Sequence, residues 1–291
     1  MAIQTVGILS PGDMGQAIAG VLNQHGLRTV AALDNRSQRT RQLATEAKIE
    51  DVGSLNRLVS ESDVLLSVLV PASATEAAKQ VSEAIRNVGK NLLYVDCNAI
   101  SPDKVRTIED IIQASGGRFV DAAIIGPPPR MPNRTRIYAS GVHASELAQL
   151  RDSGLDIRAI GDEIGQASGL KMCYAALTKG LIAIGTELLI AAHRLNLEEP
   201  LWDELSTSQK ELVDWLTRSI PTMPPKAHRW VGEMEEIAAT FSAVDLTELT
   251  FEGAAKVYRL VQETDLGKET PEERDRNRQL AEIIAKLSSK K

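Results

Sequence analysis

Apolar residues in the first half of the chain come in short runs separated by polar, helix-compatible segments. Thr5–Ser10 (TVGILS), Arg28–Leu33 (RTVAAL), Asp63–Val70 (DVLLSVLV), Leu92–Cys97 (LLYVDC), Phe119–Ala123, Arg136–Ser140 and Ile157–Ile160 read as strands. Asp63–Val70 is almost wholly apolar, the pattern of a strand covered on both faces. Between the runs, Asp13–Gln24 predicts a helix of small and aliphatic residues closed by Gly26, and Arg39–Ala47 a polar one. Strands and helices alternating at this spacing imply right-handed βαβ units and a parallel, doubly wound sheet.

The pattern changes near Gly165, after which no strand is read. Gln166–Leu195 predicts one long helix, ended by Asn196 with Pro200 beyond it. Helical periodicity returns at Trp202–Arg218, Ala227–Phe241 and Leu249–Val261, and Ser219–Pro225 reads as a loop. Thr270-Pro271-Glu272-Glu273 has the form of a capping box opening a charged helix that runs to the end. The fold expected is therefore α/β: an N-terminal Rossmann domain over residues 1–164, then an all-α domain for substrate and dimerisation over residues 165–291.

Composition narrows the function. The chain has 291 residues, enough for two cores, and its net charge of −6 argues against a general binder of nucleic acid or of a membrane surface. Aromatics are 3%, so the cores must rest on Leu, Ile, Val and Ala. Cys97 and Cys173 stand alone, which excludes a disulfide framework and a thiolate zinc site and fits a reducing cytoplasm; no metal site is expected. The first residues carry no basic segment or cleavage site, so no signal peptide is read, and the apolar stretch Gly180–Ala192, interrupted by Thr186 and Glu187, reads as a buried helix.

Directly after the first strand comes Ser10-Pro11-Gly12-Asp13-Met14-Gly15, opening a helix. This is the glycine-rich phosphate turn of a dinucleotide fold with its first glycine replaced by serine. Gly12 lets the backbone approach a pyrophosphate, Gly15 lets helix and strand pack closely, and the helix N-terminus supplies N–H groups and a positive dipole end. At Leu33-Asp34-Asn35-Arg36-Ser37 two readings stand. Asp34 could bind the adenosine ribose and favour NAD; Asn35, Arg36 and Ser37, with Arg39, could hold the 2′-phosphate of NADP, the reading preferred here. Val70-Pro71 and Asn98, which follow later strands, are expected to line the same crevice, Asn98 either as a ligand to the nicotinamide ribose or substrate or as part of an ordinary turn.

These segments resemble the 6-phosphogluconate dehydrogenase / β-hydroxyacid dehydrogenase superfamily, and the likeness covers nearly the whole chain. It is carried by Gly7-Ile8-Leu9 leading to Gly12-Asp13-Met14-Gly15, by Val95-Asp96-Cys97-Asn98 before Ser101-Pro102, by Phe119-Val120-Asp121-Ala122 and by Gly169-Leu170-Lys171. Ile125-Gly126-Pro127-Pro128, Ala167–Met172 and Arg229–Glu236 resemble its phosphogluconate-dehydrogenase-like branch. Three departures stand out. Ser10 replaces the first fingerprint glycine, Asp121–Pro127 lacks the Ser-Gly-Gly that clamps a carboxylate in most β-hydroxyacid dehydrogenases, and Ala175 stands where an asparagine usually follows the catalytic lysine.

The resemblance implies that Lys171 is the catalytic residue. On its helix it shares a face with Tyr174, Ala175 and Thr178, so few charges neighbour it there, and a lysine in such surroundings can give and take a proton as general acid/base. Ile125, Gly126, Pro127, Tyr174 and Thr178 are the expected substrate contacts; Tyr174 could replace the missing asparagine or be a core tyrosine. Lys179, about 80° round the helix, could be a second cation in the site but reads as exposed. His228, Arg229 and Glu233, on a helix that could close the pocket from above or from a partner subunit, read as a surface ion-pair network. The function implied is NAD(P)-dependent hydride transfer to or from a small alcohol or carbonyl, by a homodimer. An imine reductase on the same scaffold and a catalytically silent nucleotide-binding protein are the alternatives.

Overall fold

The strands assemble into one sheet in which the central apolar runs bury both of their faces, while the run at Ile157–Ile160 stays largely exposed. In the computed structural model, which describes residues 3–131, 133–270 and 272–289, eight strands are present: β1 Thr5–Ile8, β2 Arg28–Ala31, β3 Glu50–Asp51, β4 Val64–Ser67, β5 Leu93–Asp96, β6 Arg118–Ile125, β7 Arg136–Ser140 and β8 Asp156–Gly161. Their order is β3-β2-β1-β4-β5-β6-β7-β8. Alternate side chains feed two layers of core. Val6, Ile8, Val64, Leu66, Leu93 and Val95 lie in one layer, and Val30, Leu65, Tyr94 and Phe119 in the other. The helices that flank or connect the strands are α1 Asp13–Gln24, α2 Gln38–Glu46, α3 Leu55–Glu61, α4 Ala74–Val88, α5 Pro102–Gln113 and α6 Ala144–Leu147.

The α/β class and the long helix agree with the sequence reading, and three details correct it. The sheet is not wholly parallel: β6 and β7 pair antiparallel, Ile125 opposite Arg136. Only residues 126–135 join them, too short a link for the crossover that parallel neighbours need. β3, two charged residues, carried no apolar signal. The segment read as Trp202–Arg218 is two helices, α8 Glu198–Ser208 and α9 Lys210–Ser219, broken at Gln209 (φ −135°, ψ 39°). The hydroxyls of Thr207 and Ser208 donate to the carbonyls of Asp203 and Glu204, 2.9 Å each, as such side chains do when they compete with the helix backbone. Pro200 lies inside the first turn of α8, where proline is tolerated.

The remaining helices are α7 Gln166–Leu195, α10 Ala227–Ser242, α11 Leu249–Gln262, α12 Asp265–Lys268 and α13 Leu280–Ser288, with short 3₁₀ turns at Ile220–Thr222 and Pro224–Lys226. Thr270 and Glu273 exchange the hydrogen bonds of a capping box, while Pro271 lies outside the described residues. No helix follows there until Leu280, because 272–279 holds no apolar face to bury. Among the described residues α7 alone, at 30 residues, is long and apolar enough to cross a membrane by length and composition, and half of its most apolar stretch is buried. The described residues form two compact units that divide between Met172 and Cys173, so the first turns of α7 belong with the sheet.

Those first turns are tied down by one carboxylate. Asp121, on β6 and 0% exposed, accepts hydrogen bonds from the backbone N–H groups of Gly165 and Ser168 (3.0 Å each), from the Ser168 hydroxyl (2.6 Å) and from the Ser140 hydroxyl (3.0 Å). The Ser140 oxygen in turn accepts from the N–H of Ala167 at 3.1 Å. A negative side chain thus sits against the positive end of the helix dipole and satisfies donors that a helix start leaves open. Asp121→Ala strips an acceptor from three donors at the start of α7. With the Ser140 hydroxyl, four buried donors are abandoned, and unfolding stability should fall by about 4 kcal/mol, at roughly 1 kcal/mol per donor. Urea denaturation would measure this, and an unchanged midpoint would show that the anchor is dispensable.

Candidate active site

Residues 10–15 make the turn that the motif requires, and its two glycines are needed for different reasons. Gly15 packs so closely that an added Cβ would lie 2.5 Å from the carbonyl oxygen of Ser10 and 3.1 Å from Ile8, so the fold itself demands glycine there. Gly12 has ordinary extended backbone (φ −77°, ψ −165°), and an added Cβ would meet nothing within 4 Å. The fold does not need glycine at position 12; a ligand approaching the backbone would. Gly12 is the N-cap of α1 and no side chain caps that helix, so its leading N–H groups face the turn beside Ser10, Pro11 and Met14. This geometry fits a pyrophosphate.

The end of β2 supplies the residues expected at the adenosine side. Asn35 is exposed in a left-handed conformation (φ 58°). Arg36 donates to the carbonyl of Leu9 at 3.0 Å, which joins the β2 loop to the start of the glycine turn. Ser37 caps α2 by accepting from the N–H of Thr40 (3.2 Å), and Arg39 pairs with Asp13 at 2.8 Å. Asp34 is exposed.

A row of polar residues crosses the carboxyl edge of the sheet. Ser67, Asp96, Asp121 and Ser140 are register partners on β4, β5, β6 and β7, and all are buried. Asn98, 2% exposed, is fully used inside this row. Its Oδ1 accepts from the N–H of Leu69 (2.5 Å), and its Nδ2 donates to Ser67 (3.1 Å) and Asp96 (2.9 Å). It therefore holds the β4 and β5 loops together. Val70 is exposed and Pro71 opens a 3₁₀ turn just after β4.

Lys171, half-buried, lies on the second turn of α7, directly after the segment tied to Asp121. Its charge acts on buried Asp96 and Cys97. A carboxyl group that feels the Lys171 charge thus stands on β5, which the helix face alone did not reveal. Burial is the main reason the Asp96 carboxyl is pushed up to about 7, and the Asp121 charge adds to it; the Asn98 hydrogen bonds and Lys171 oppose the rise. Asp96 and Asp121 were not singled out for chemistry in the sequence. The available signal was a single carboxylate inside an otherwise apolar strand run.

The other expected contacts are more scattered. Ile125 is buried at the end of β6, and Gly126 and Pro127 open the exposed link to β7, where the Thr135 hydroxyl donates to the Pro127 carbonyl (2.5 Å). Tyr174 is 48% exposed, and the Thr178 hydroxyl donates to its backbone carbonyl (3.1 Å). Lys179 and Glu233 are not surface groups. They form a largely buried ion pair, with the Lys179 ammonium 5.2 Å from the centre of the Trp230 ring. Arg229 approaches Glu233 at 3.4 Å.

Comparison with known proteins bears on the family and the fold. The family described as the NAD binding domain of 6-phosphogluconate dehydrogenase matches residues 5–152, and a domain of unknown function (DUF1932) matches residues 192–261. An uncharacterized 28.5 kDa protein of the 7S RNA 5′ region of Methanothermus fervidus is 30% identical, over 72% of this chain and 79% of its own length. Conserved protein MTH1747 of unknown function, described as structurally similar to 3-hydroxyacid dehydrogenases, is 30% identical, with TM-score 0.68 over 89% of this chain and 96% of its own. 3-Hydroxyisobutyrate dehydrogenase of Mycobacterium tuberculosis shares the fold, with TM-score 0.70 at 16% identity over 99% and 100% of the two chains. The phosphate turn, the sheet order and these matches together place the chain in the 6-phosphogluconate dehydrogenase / hydroxyacid dehydrogenase superfamily of nicotinamide-dependent oxidoreductases.

Proposed function

We propose that this protein transfers hydride between NADP and a small alcohol or its carbonyl partner, with Lys171 moving the proton. The observation that carries the reading is the placement of Lys171: an amine on a helix start locked into the sheet's carboxyl edge, within reach of the charge of a buried carboxyl group. When bound, the nicotinamide supplies the hydride acceptor or donor. Gly12 and the open N-terminus of α1 would hold the pyrophosphate of the dinucleotide, and Arg36 and Ser37 would take its 2′-phosphate. The Lys171 amine receives the hydroxyl proton as the alcohol is oxidised and returns it in the reverse direction. Ile125, Gly126 and Pro127 shape the substrate side without the Ser-Gly-Gly carboxylate clamp, so the reading extends to alcohols other than hydroxyacids.

Lys171→Ala should retain NADPH binding by fluorescence titration while turnover falls at least ~10²-fold, the scale of general acid/base loss. Full turnover in that variant would remove the assignment. Arg36→Ala should weaken NADPH about tenfold or more and leave NADH nearly unchanged, since a charge-assisted bond to the 2′-phosphate is lost; equal weakening of both would assign Arg36 to the turn alone.

Asp96 gives a signed pH dependence. Its folded value of about 7 lies above the ordinary 3.8, so the native state binds the proton more tightly than the unfolded chain does. Its share of stability is therefore greatest in acid, where both states are protonated. That share declines as pH rises from about 4 to about 7 and is constant above. Unfolding free energies measured across that range should show this component in the parent protein and lack it in Asp96→Asn. Identical pH slopes in the two proteins would contradict it.

A further inference from the structure

Lys226 has no counter-ion among the described residues. It ends the 3₁₀ turn Pro224–Lys226 and is the N-cap of α10. Its half-buried ammonium lies 6.0 Å from the centre of the Trp230 ring, and it makes no ion pair among the described residues. Arg274, also half-buried, likewise pairs with no described carboxylate; its guanidinium donates only a long 3.4 Å hydrogen bond to the carbonyl of Pro221. Arg274 is tied to the 3₁₀ turn Ile220–Thr222 and Lys226 ends the turn that follows, which brings the two cations to one pair of turns, and the charges of Arg229 and Arg274 both act on Lys226. Burial first, then these two like charges, holds the Lys226 pKa below that of an ordinary lysine. The nearby carboxylate of Glu233 is engaged by Lys179 and Arg229.

The scaffold beneath this group is rigid. Trp230 is buried and meets Tyr258 edge-on at 5.3 Å, and the fully buried Tyr258 donates its hydroxyl to the carbonyl of Lys179 at 2.5 Å. Pro224 and Pro225, both buried, fix the turn that presents Lys226. Like charges held together half out of water are unfavourable, and an anion between them reverses the sign of that interaction. An ammonium and a planar guanidinium fork are together suited to an oxyanion.

We propose that Lys226 and Arg274 form an anion site in the helical unit for a small oxyanion, the phosphate or carboxylate group of a metabolite. The site stands on residues of that unit alone and is independent of the hydride-transfer reading. Calorimetric titration of the full chain with inorganic phosphate and, separately, with acetate tests it. Saturable binding of either anion is the expected result, and the stronger of the two assigns the ligand group. Lys226→Met and Arg274→Gln should each weaken that binding about tenfold or more, while Lys226→Arg keeps most of it. Absence of saturable binding of both anions, or binding unchanged in Lys226→Met and Arg274→Gln, would overturn the site. Should Lys226→Met fail to fold by circular dichroism, the parent titrations and Arg274→Gln decide the matter.

Discussion

The functional architecture depends on the buried contact between the Asp121 carboxylate and the start of α7. Burying an isolated carboxylate is costly, and this one is stabilised by four donors and by the positive end of a long helix. The contact fixes where α7 leaves the sheet and how it is rotated. Because Lys171 follows Ser168 by less than one turn, the same contact sets the position of its backbone. Ser140 reinforces it from the neighbouring strand by accepting from Ala167.

Around this contact the sheet's carboxyl edge is divided between two tasks. On β4 and β5, Ser67, Asp96 and Asn98 bond chiefly to one another and hold the loops in place. On β6 and β7, Asp121 and Ser140 turn toward the helix. The antiparallel β6–β7 pair brings this about: the short link after Ile125 returns the chain at once, so that Ser140 stands beside Asp121. A parallel neighbour would have presented the opposite strand polarity at that point.

Much of the fold could be read from the chain because burial leaves a simple imprint on strands covered on both faces. Both ends of α7 were legible too, since Gly165 and Asn196 adopt positive φ at its two limits. Strand direction was not legible, because an apolar run such as Phe119–Ala123 looks the same whichever way its neighbour points. Nor was β3, whose two charged residues are held by Glu50 pairing with Arg28 of β2 and Asp51 accepting from the N–H of Leu33, contacts that leave no apolar pattern. At the site, Gly12, Gly15, Arg36 and Lys171 were visible from motif and resemblance. Asn98 was visible as a polar residue in the right loop, yet its amide is spent on Leu69, Ser67 and Asp96, an accounting that only tertiary structure reveals. The same is true of Glu233, whose place in a charged stretch suggested solvent but whose helix buries it against Lys179.

The contrast between the two glycines of the phosphate turn separates foldability from ligand retention in this lineage. Drift at position 15 is opposed by packing whether or not any nucleotide is present, whereas nothing in the packing opposes a side chain at position 12. A descendant that abandoned its cofactor could therefore lose Gly12 while keeping its sheet intact. The identity of that single residue is a marker of continued use, readable across relatives without an assay.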